Sequence, residues 1–286
     1  MKTCLDCIPC FVRQALAAAR MLTADVEVHE TIVRDVLLWT AEIDFSISAP
    51  AMAQRIHRRL RHLLDVDDPY AEVKRRQNEM ALSFVPILRK EIASAEDPFA
   101  LALRLAVAGN VIDLGVSDAV SREDISEAIH FALSKPILGD IDRFRDEVHS
   151  AQSILYLTDN AGEVAFDRLF IEQLPKEKIV IALRGGPAIN DATLSCAEQV
   201  GLTKLAKVID NGSDAPGTLR DQCSDEFNEH WANSSLVIAK GQGNFESLNH
   251  ENANIFFLFK AKCDVVAKSC AVPKGSCLLR ARHECA

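Results

Sequence analysis

The sequence has no apolar run long enough to span a membrane and no surplus of positive charge. A membrane-spanning helix needs about 20 consecutive apolar residues, and no segment of the 286 residues approaches that length. Lysine and arginine number 32 against 41 acidic residues, which gives a net charge of -9. Nucleic-acid binding through bulk electrostatics requires an excess of basic residues. We therefore expect neither a membrane nor a nucleic acid among the partners.

Three common motifs of nucleotide-binding proteins and hydrolases are also missing. The sequence contains neither the Gly-x-x-x-x-Gly-Lys-[Ser/Thr] segment of a P-loop nor a Gly-x-Ser-x-Gly nucleophile elbow. The segment Lys240-Gly241-Gln242-Gly243 lacks the third glycine of a dinucleotide fingerprint. These absences argue against a P-loop nucleotidase, an α/β-hydrolase and an NAD-dependent enzyme.

Cysteine is present, but in a setting that does not favour disulfides. The first ten residues, which include Cys4, Cys7 and Cys10, are too polar for a secretory signal peptide. We therefore expect a cytoplasmic protein whose nine cysteines are thiols or metal ligands. The spacing Cys-x-x-Cys-x-x-Cys suits zinc, an iron–sulfur cluster or a redox pair, and equally a set of buried thiols. A metal- or redox-sensing protein centred on this cluster is one alternative function.

The pattern of apolar residues changes near residue 150. From residue 21 to residue 147, apolar residues recur at helical spacing. Beyond residue 150, apolar runs of strand length alternate with helical segments, and these runs cover residues 154–157, 179–183, 207–209, 236–239 and 255–259. Such alternation predicts βαβ units and a mostly parallel sheet flanked by helices. We predict an α/β fold, with an all-helical domain over residues 1–150 and an α/β domain over residues 151–286.

The first predicted strand ends in a group of polar residues. Ile154 to Leu157 is followed by Asp159, Asn160 and then Glu163, which opens a helical segment. Ligands of open α/β sheets bind at the carboxyl ends of the strands, and oxygen-bearing side chains there suit a hard cation such as Mg²⁺. Asp and Asn are also the commonest residues at helix N-caps, so both a metal site and simple capping are open at this point.

Three further predicted strands end in polar or glycine-rich turns. These turns contain Arg184-Gly185-Gly186-Pro187 with Asn190-Asp191, Asp210-Asn211-Gly212-Ser213-Asp214 with Pro216-Gly217-Thr218, and Lys240-Gly241-Gln242-Gly243-Asn244. A parallel sheet gathers these turns at one edge. Carboxylates there can bind a divalent cation, and Lys240 and glycine N–H groups can hold phosphate charge. This combination is typical of phosphoryl-transfer chemistry.

Taken in order, these motifs resemble those of the DUF89 family, the ARMT1-like metal-dependent damage-control phosphatases. The N-terminal Cys-x-x-Cys and the segment Ala108-Gly109-Asn110-x-x-Asp113 resemble the stand-alone prokaryotic branch. The segment Phe259-Lys260-Ala261-Lys262-Cys263 resembles the closing motif of that branch. The resemblance covers essentially the whole chain and implies a helical region packed on a Rossmann-like domain.

The resemblance also implies an activity and a set of site residues. The activity is hydrolysis of small phosphomonoesters, such as sugar phosphates or damaged phosphometabolites, with Mg²⁺, Mn²⁺, Ni²⁺ or Co²⁺. The metal ligands would be Asp159, Asn160 and Asp191. Glu163 would orient or deprotonate the attacking water, with Asp159 beside it. Lys240, Asn110 and the Gly241 backbone would contact the substrate.

A carboxyl methyltransferase is a further alternative, because one family member is proposed to methylate protein carboxylates. Such an enzyme needs a pocket for S-adenosylmethionine. The turn after the first predicted strand contains a single glycine, Gly162, and is not a convincing glycine-rich loop for that cofactor. The sequence therefore favours the phosphatase over this activity.

Overall fold

The computed structural model describes residues 1–109, 134 and 136–284. The described residues do not include Asn110, Asp113 or Cys285. They also do not include residues 127–133, which are part of the region with helical spacing of apolar residues. The helices are α1 Cys7–Leu22, α2 Val26–Ala41, α3 Ala49–Leu64, α4 Ala71–Ser94, α5 Pro98–Gly109, α6 Ile141–Ser150, α7 Glu163–Ile171, α8 Leu194–Val200, α9 Asp225–Asn233, α10 Gln242–Leu248 and α11 Asp264–Ser269. The strands are β1 Ile137–Leu138, β2 Ile154–Leu157, β3 Ile179–Leu183, β4 Lys207–Asp210, β5 Leu236–Lys240, β6 Ile255–Lys260 and β7 Cys277–Ala281.

The sheet has the strand order β1-β7-β6-β5-β2-β3-β4. Strands β2 to β6 run parallel to one another, whereas β7 runs antiparallel to β6. The chain moves outward from β2 to β3 and β4, and then returns to place β5 on the other side of β2. The sheet therefore has a topological switch point between β2 and β5, where α/β proteins bind their ligands.

The central strands are continuous apolar runs because both faces of the sheet are covered. Successive side chains of a strand point to opposite faces, and they pack into two separate clusters here. Tyr156 and Ile238 lie in the cluster beneath α4, α5 and α7, whereas Leu157 and Ala239 lie in the opposite one. A third cluster fills the space between α1, α2 and α3.

The prediction of an α/β fold with a helical N-terminal region and a mostly parallel sheet is confirmed. All five predicted strands are present, two of them with the predicted ends. The short strand β1 and the strand β7 have no counterpart in the prediction, and β1 joins the sheet before residue 150. The boundary at residue 150 stays a prediction. Within the described residues, no helix combines the length and apolar character needed to cross a membrane.

Candidate active site

Strands β2 and β3 are parallel neighbours, and the turns after them contact each other through their backbones. Asn160 and Asp191 form an isolated antiparallel bridge. The Ala161 N–H donates to the Asn190 carbonyl over 2.8 Å, and the Ala192 N–H donates to the Asp159 carbonyl over 2.7 Å. These bonds fix Asp159, Asn160 and Asp191 at one edge of the sheet. The three predicted metal ligands thus lie together.

Gly241 closes the same site from the turn after β5. Its φ is +84°, a left-handed conformation that favours glycine, and a Cβ at this position would lie 2.0 Å from Asp159 Oδ2. The backbone of Gly241 therefore approaches the Asp159 carboxylate more closely than any side chain would allow. The prediction that Gly241 contacts substrate through its backbone stays open, but its place beside Asp159 is clear.

A buried network holds the carboxylates of Asp159 and Asp191 in place. Arg184 Nε donates to Asp191 Oδ2 over 2.6 Å, and Arg184 Nη2 lies 3.9 Å from Asp159 Oδ1. Arg184 Nη1 also donates to Thr218 Oγ1, whose hydroxyl donates to Asn244 Oδ1. Arg184 thus links both acids to the turns after β4 and β5.

The electrostatics of the two aspartates suit a bound cation. Burial, Glu163 and Asp191 raise the pKa of Asp159 well above its usual value, although Lys262 and Arg184 lower it. Burial also raises the pKa of Asp191, against the lowering effect of Arg184. A nearby positive charge favours the ionised form of both groups. The site therefore concentrates more negative charge than Arg184 and Lys262 compensate.

The side chains present fit a hard divalent cation. Two carboxylates and an amide are oxygen ligands of the kind that Mg²⁺ and Mn²⁺ accept. Asn160 Nδ2 donates to Asp159 Oδ2 over 2.8 Å and to Glu163 Oε2 over 3.3 Å, so the Asn160 side chain lies beside both carboxylates. In the described part of the chain, no group of three or more His, Cys, Asp or Glu side chains has a metal-ligating arrangement. An ion here would therefore depend on the amide of Asn160.

Glu163 opens α7, directly after the Asp159 turn, and is fully buried. Its Oε1 accepts a hydrogen bond of 2.5 Å from Lys240 Nζ. Adding a Cβ at Gly109 would place it 2.8 Å from Glu163 Cγ, so the end of α5 also packs against this side chain. Asn110, the next residue and a predicted substrate contact, lies outside the described residues. Lys240 and the end of α5 therefore both restrict the position of the Glu163 side chain.

Lys240 lies in the core beneath the site rather than at its surface. Its ammonium donates to Glu163 Oε1 at 2.5 Å, Asp167 Oδ1 at 2.6 Å and the Ala106 carbonyl at 2.8 Å. Burial alone would lower the pKa of Lys240, but Asp167 and Glu163 outweigh that effect and raise it. An ammonium has three protons, and each has an acceptor here. Contact between Lys240 and substrate stays a prediction, but these bonds favour a role in holding Glu163.

Asp167 is a site residue that sequence reasoning missed. Its Oδ1 accepts hydrogen bonds from Lys240 and, over 2.8 Å, from the Tyr156 hydroxyl. Burial raises the pKa of Asp167 to about 6, although Lys240 lowers it. The sequence did carry a signal: Glu163 and Asp167 are four residues apart on an apolar helix. Two buried acids on one helical face require a buried cation.

The N-terminal cysteines lie apart from this arrangement. Cys4 Sγ and Cys7 Sγ are 3.6 Å apart as free thiols, and Cys10 Sγ accepts a hydrogen bond from Gln14. Burial raises the pKa of Cys7 to about 11, which reduces its reactivity as a thiolate at neutral pH. The described cysteines do not form a three-ligand metal group. A redox or metal role for them stays a prediction.

Comparison with known proteins gives matches along nearly the whole chain. Residues 3–278 match the family model of the damage-control phosphatase ARMT1-like domain. The damage-control phosphatase PH1575 of Pyrococcus horikoshii is 37% identical over 286 residues, which cover 96% of each chain. A damage-control phosphatase of Archaeoglobus fulgidus is 33% identical over 282 residues, 96% of this chain and 97% of that protein.

A solved structure extends the similarity to the fold. The crystal structure of the DUF89 family protein PH1575 from Pyrococcus horikoshii matches with a TM-score of 0.90 and 35% sequence identity. The match covers 99% of both chains. Sequence and fold therefore agree, and this chain belongs to the ARMT1-like damage-control phosphatase family, DUF89.

Proposed function

We propose that this protein is a phosphatase that hydrolyses small phosphomonoesters with a divalent cation held by Asp159, Asn160 and Asp191. The observation that carries the proposal is the convergence of two buried carboxylates and an amide at the switch point of the sheet. A cation there would neutralise charge on the phosphoryl oxygens and polarise a water molecule. The names of the similar proteins support phosphatase chemistry.

Glu163 is the residue best placed to accept the proton of the attacking water. Lys240 fixes one of its oxygens, and the other lies 3.3 Å from the Asn160 amide. As the water oxygen bonds to phosphorus, its proton passes to Glu163 and the ester P–O bond breaks. The departing oxygen takes up a proton from solvent and leaves as the hydroxyl of the alcohol. Orientation of the water and charge neutralisation supply most of the acceleration in such reactions.

Lys262 is the cation that we assign to the substrate phosphate on the β6 side of the site. It is half-buried, and its charge lowers the pKa of Asp159. Its backbone N–H donates to Gln242 Oε1 over 2.8 Å, which anchors the turn after β6. Lys262 belongs to the closing motif of the sequence and, unlike Lys240, is partly exposed. Substrates would be small phosphorylated metabolites, as the family resemblance implies.

Release of inorganic phosphate from an aryl phosphate, measured with Mg²⁺, Mn²⁺, Co²⁺ and Ni²⁺ in turn, tests the proposal. Asp159→Asn keeps the shape of the side chain but removes its charge, and we expect activity to fall about 100-fold or more. Asp221→Asn, on an exposed residue, is the matched control and should retain activity. Full activity in Asp159→Asn, or in the presence of excess chelator, would contradict the proposal.

A further inference from the structure

Helix α4 places three polar side chains in the protein interior. Lys74, Gln77 and Asn78 lie on one face of this helix and are 3%, 5% and 0% exposed. Burial of an ammonium group is costly unless a partner compensates its charge. Most of α4's other buried residues, such as Val85 and Leu88, are apolar and pack in the core. Apolar packing therefore does not account for the three polar side chains at the start of α4.

The position of this face is fixed by contacts with the turns that carry the proposed metal ligands. Asn78 Oδ1 accepts from the Gly162 N–H over 2.7 Å, and Asn78 Nδ2 donates to Gln199 Oε1 over 2.8 Å. Gln199 Nε2 donates in turn to the Arg75 carbonyl over 3.1 Å. Gly162 follows β2, and Gln199 lies on α8, which follows Asp191. The start of α4 therefore contacts both the turn after β2 and helix α8.

Lys74 lies one helical turn before Asn78 and shares this face. Its Nζ is 2.6 Å from Asp68 Oδ2, an acid in the loop before α4 that is about one-fifth exposed. Lys74 is therefore a buried cation on the face of α4 whose Asn78 contacts the turn after β2.

The hydrogen bonding of Lys74 contrasts with that of Lys240. Lys240 donates to three acceptors, whereas Lys74 Nζ, although close to Asp68, makes no hydrogen bond of good geometry with a described residue. A buried ammonium normally has its protons matched by acceptors. Lys74 thus has capacity for an additional acceptor, and the contact with Asp68 holds its ammonium in place.

We propose that Lys74 binds a phosphate oxygen of the substrate from the helical side of the site. This inference rests on the proposed phosphatase function. It assigns the helical region a direct part in substrate binding: the phosphate of a monoester would lie between the turns of the α/β sheet and the start of α4. Asp68 would act as the positioning residue of Lys74.

Inorganic phosphate is the probe for this inference, because hydrolysis of any phosphomonoester releases it. Binding to the Mn²⁺-loaded protein is measured by calorimetry, and KM, kcat and the inhibition constant of phosphate are measured with an aryl phosphate. For Lys74→Met we expect phosphate binding to weaken, and KM to rise, about 10-fold or more. Lys74→Arg should restore both to within about threefold, since it keeps the charge.

Lys90→Met is the matched control, because Lys90 is an exposed lysine on the same helix. It should leave phosphate binding unchanged. Unchanged phosphate binding and KM in a folded Lys74→Met protein would overturn the inference. If this occurs while Asp159→Asn remains inactive, the proposed function stands and the role of Lys74 alone is rejected.

Asp68→Asn provides a second test if Lys74→Met does not fold. Asp68 lies in a loop and is partly exposed, so its substitution by the isosteric amide is mild. Removal of its negative charge takes away the group that positions Lys74, and phosphate should bind several-fold less tightly. Phosphate binding that stays the same or tightens in this variant would count against a role for Lys74 in anion binding.

Discussion

Gly241 is the residue at which the proposed metal site tolerates the least change. Its α-carbon lies so close to the Asp159 carboxylate that a single methyl group would overlap with it. Asn160 also contacts that carboxylate, because its amide donates to Asp159 Oδ2. The position of Asp159 therefore depends on a residue 82 positions away, which has no side chain at all.

Gly241→Ala should displace Asp159 and lower metal-dependent activity at least about tenfold. The left-handed backbone adds a destabilisation of about 1–2 kcal/mol. Gly275→Ala is the matched control, since Gly275 also has a positive φ of +90° but nothing lies within 4 Å of an added Cβ. Both variants should lose stability in urea denaturation, and only Gly241→Ala should lose activity. Equal activity in the two would show that the close approach is irrelevant.

At the scale of elements, the site depends on how helix α4 meets the turn between β2 and α7. The Gly162 N–H, at the start of α7, is buried and donates to Asn78 Oδ1. Gly162 has a φ of +76°, which turns the chain sharply from Asn160 into the helix. A side chain from α4 thus satisfies a backbone donor in the turn that holds the metal ligands.

Asn78→Ala should destabilise the protein by about 1–3 kcal/mol, because the Gly162 N–H would remain buried without an acceptor. Asn233→Ala, at the exposed end of α9, should change stability by less than about 0.5 kcal/mol. Urea denaturation followed by circular dichroism measures both. The same stability for the two variants would mean that water replaces the Asn78 contact.

At the scale of the whole molecule, helix α3 joins the helical region to the α/β sheet through Asp214. Its carboxylate accepts hydrogen bonds from Gln54, Arg58 and Arg61, and Arg61 also donates to the Pro187 carbonyl. Asp214 and Pro187 lie in the turns after β4 and β3. Arg58 and Arg61 of α3 therefore contribute to the contact between the helical region and the α/β sheet.

Asp214→Ala should lower the free energy of unfolding by about 2 kcal/mol, the value of a hydrogen-bonded charge. Asp264→Ala removes an exposed ion pair with Lys274 and should cost less than about 1 kcal/mol. Burial raises the pKa of Asp214, but the hydrogen bonds of Arg58 and Arg61 outweigh it and lower the pKa to about 2.

The lowered pKa of Asp214 gives this contact a pH dependence of defined sign. Its stabilisation is fully present above the ordinary value of an aspartate, about 4, and is lost as the pH falls toward 2. The difference in stability between the parent protein and Asp214→Ala should be constant above about pH 5 and shrink below about pH 4. Thermal unfolding across this range measures it, and a constant difference down to pH 3 would contradict the assignment.

The sequence by itself determined five strands of the sheet, β2 to β6, and the edge of the sheet that carries the polar turns. Apolar runs such as Ile154–Leu157 are bounded by turn residues, and local pattern alone identifies them. Strand β7, which lies between β1 and β6, was beyond such reasoning, since its antiparallel pairing with β6 depends on a long-range choice of partner. The same holds for β1, which is two residues long.

Only the tertiary structure decided which charged side chains pair with each other around the site. Lys240 is the last residue of β5 and Asp159 lies just after β2, so both stand at strand ends, yet the Lys240 side chain lies in the core and pairs with Glu163 and Asp167. Lys74 lies in a helix that the sequence does not connect to the site. Pairing of buried charges depends on distances of a few ångströms between residues far apart in the chain, and spacing along the sequence does not contain those distances.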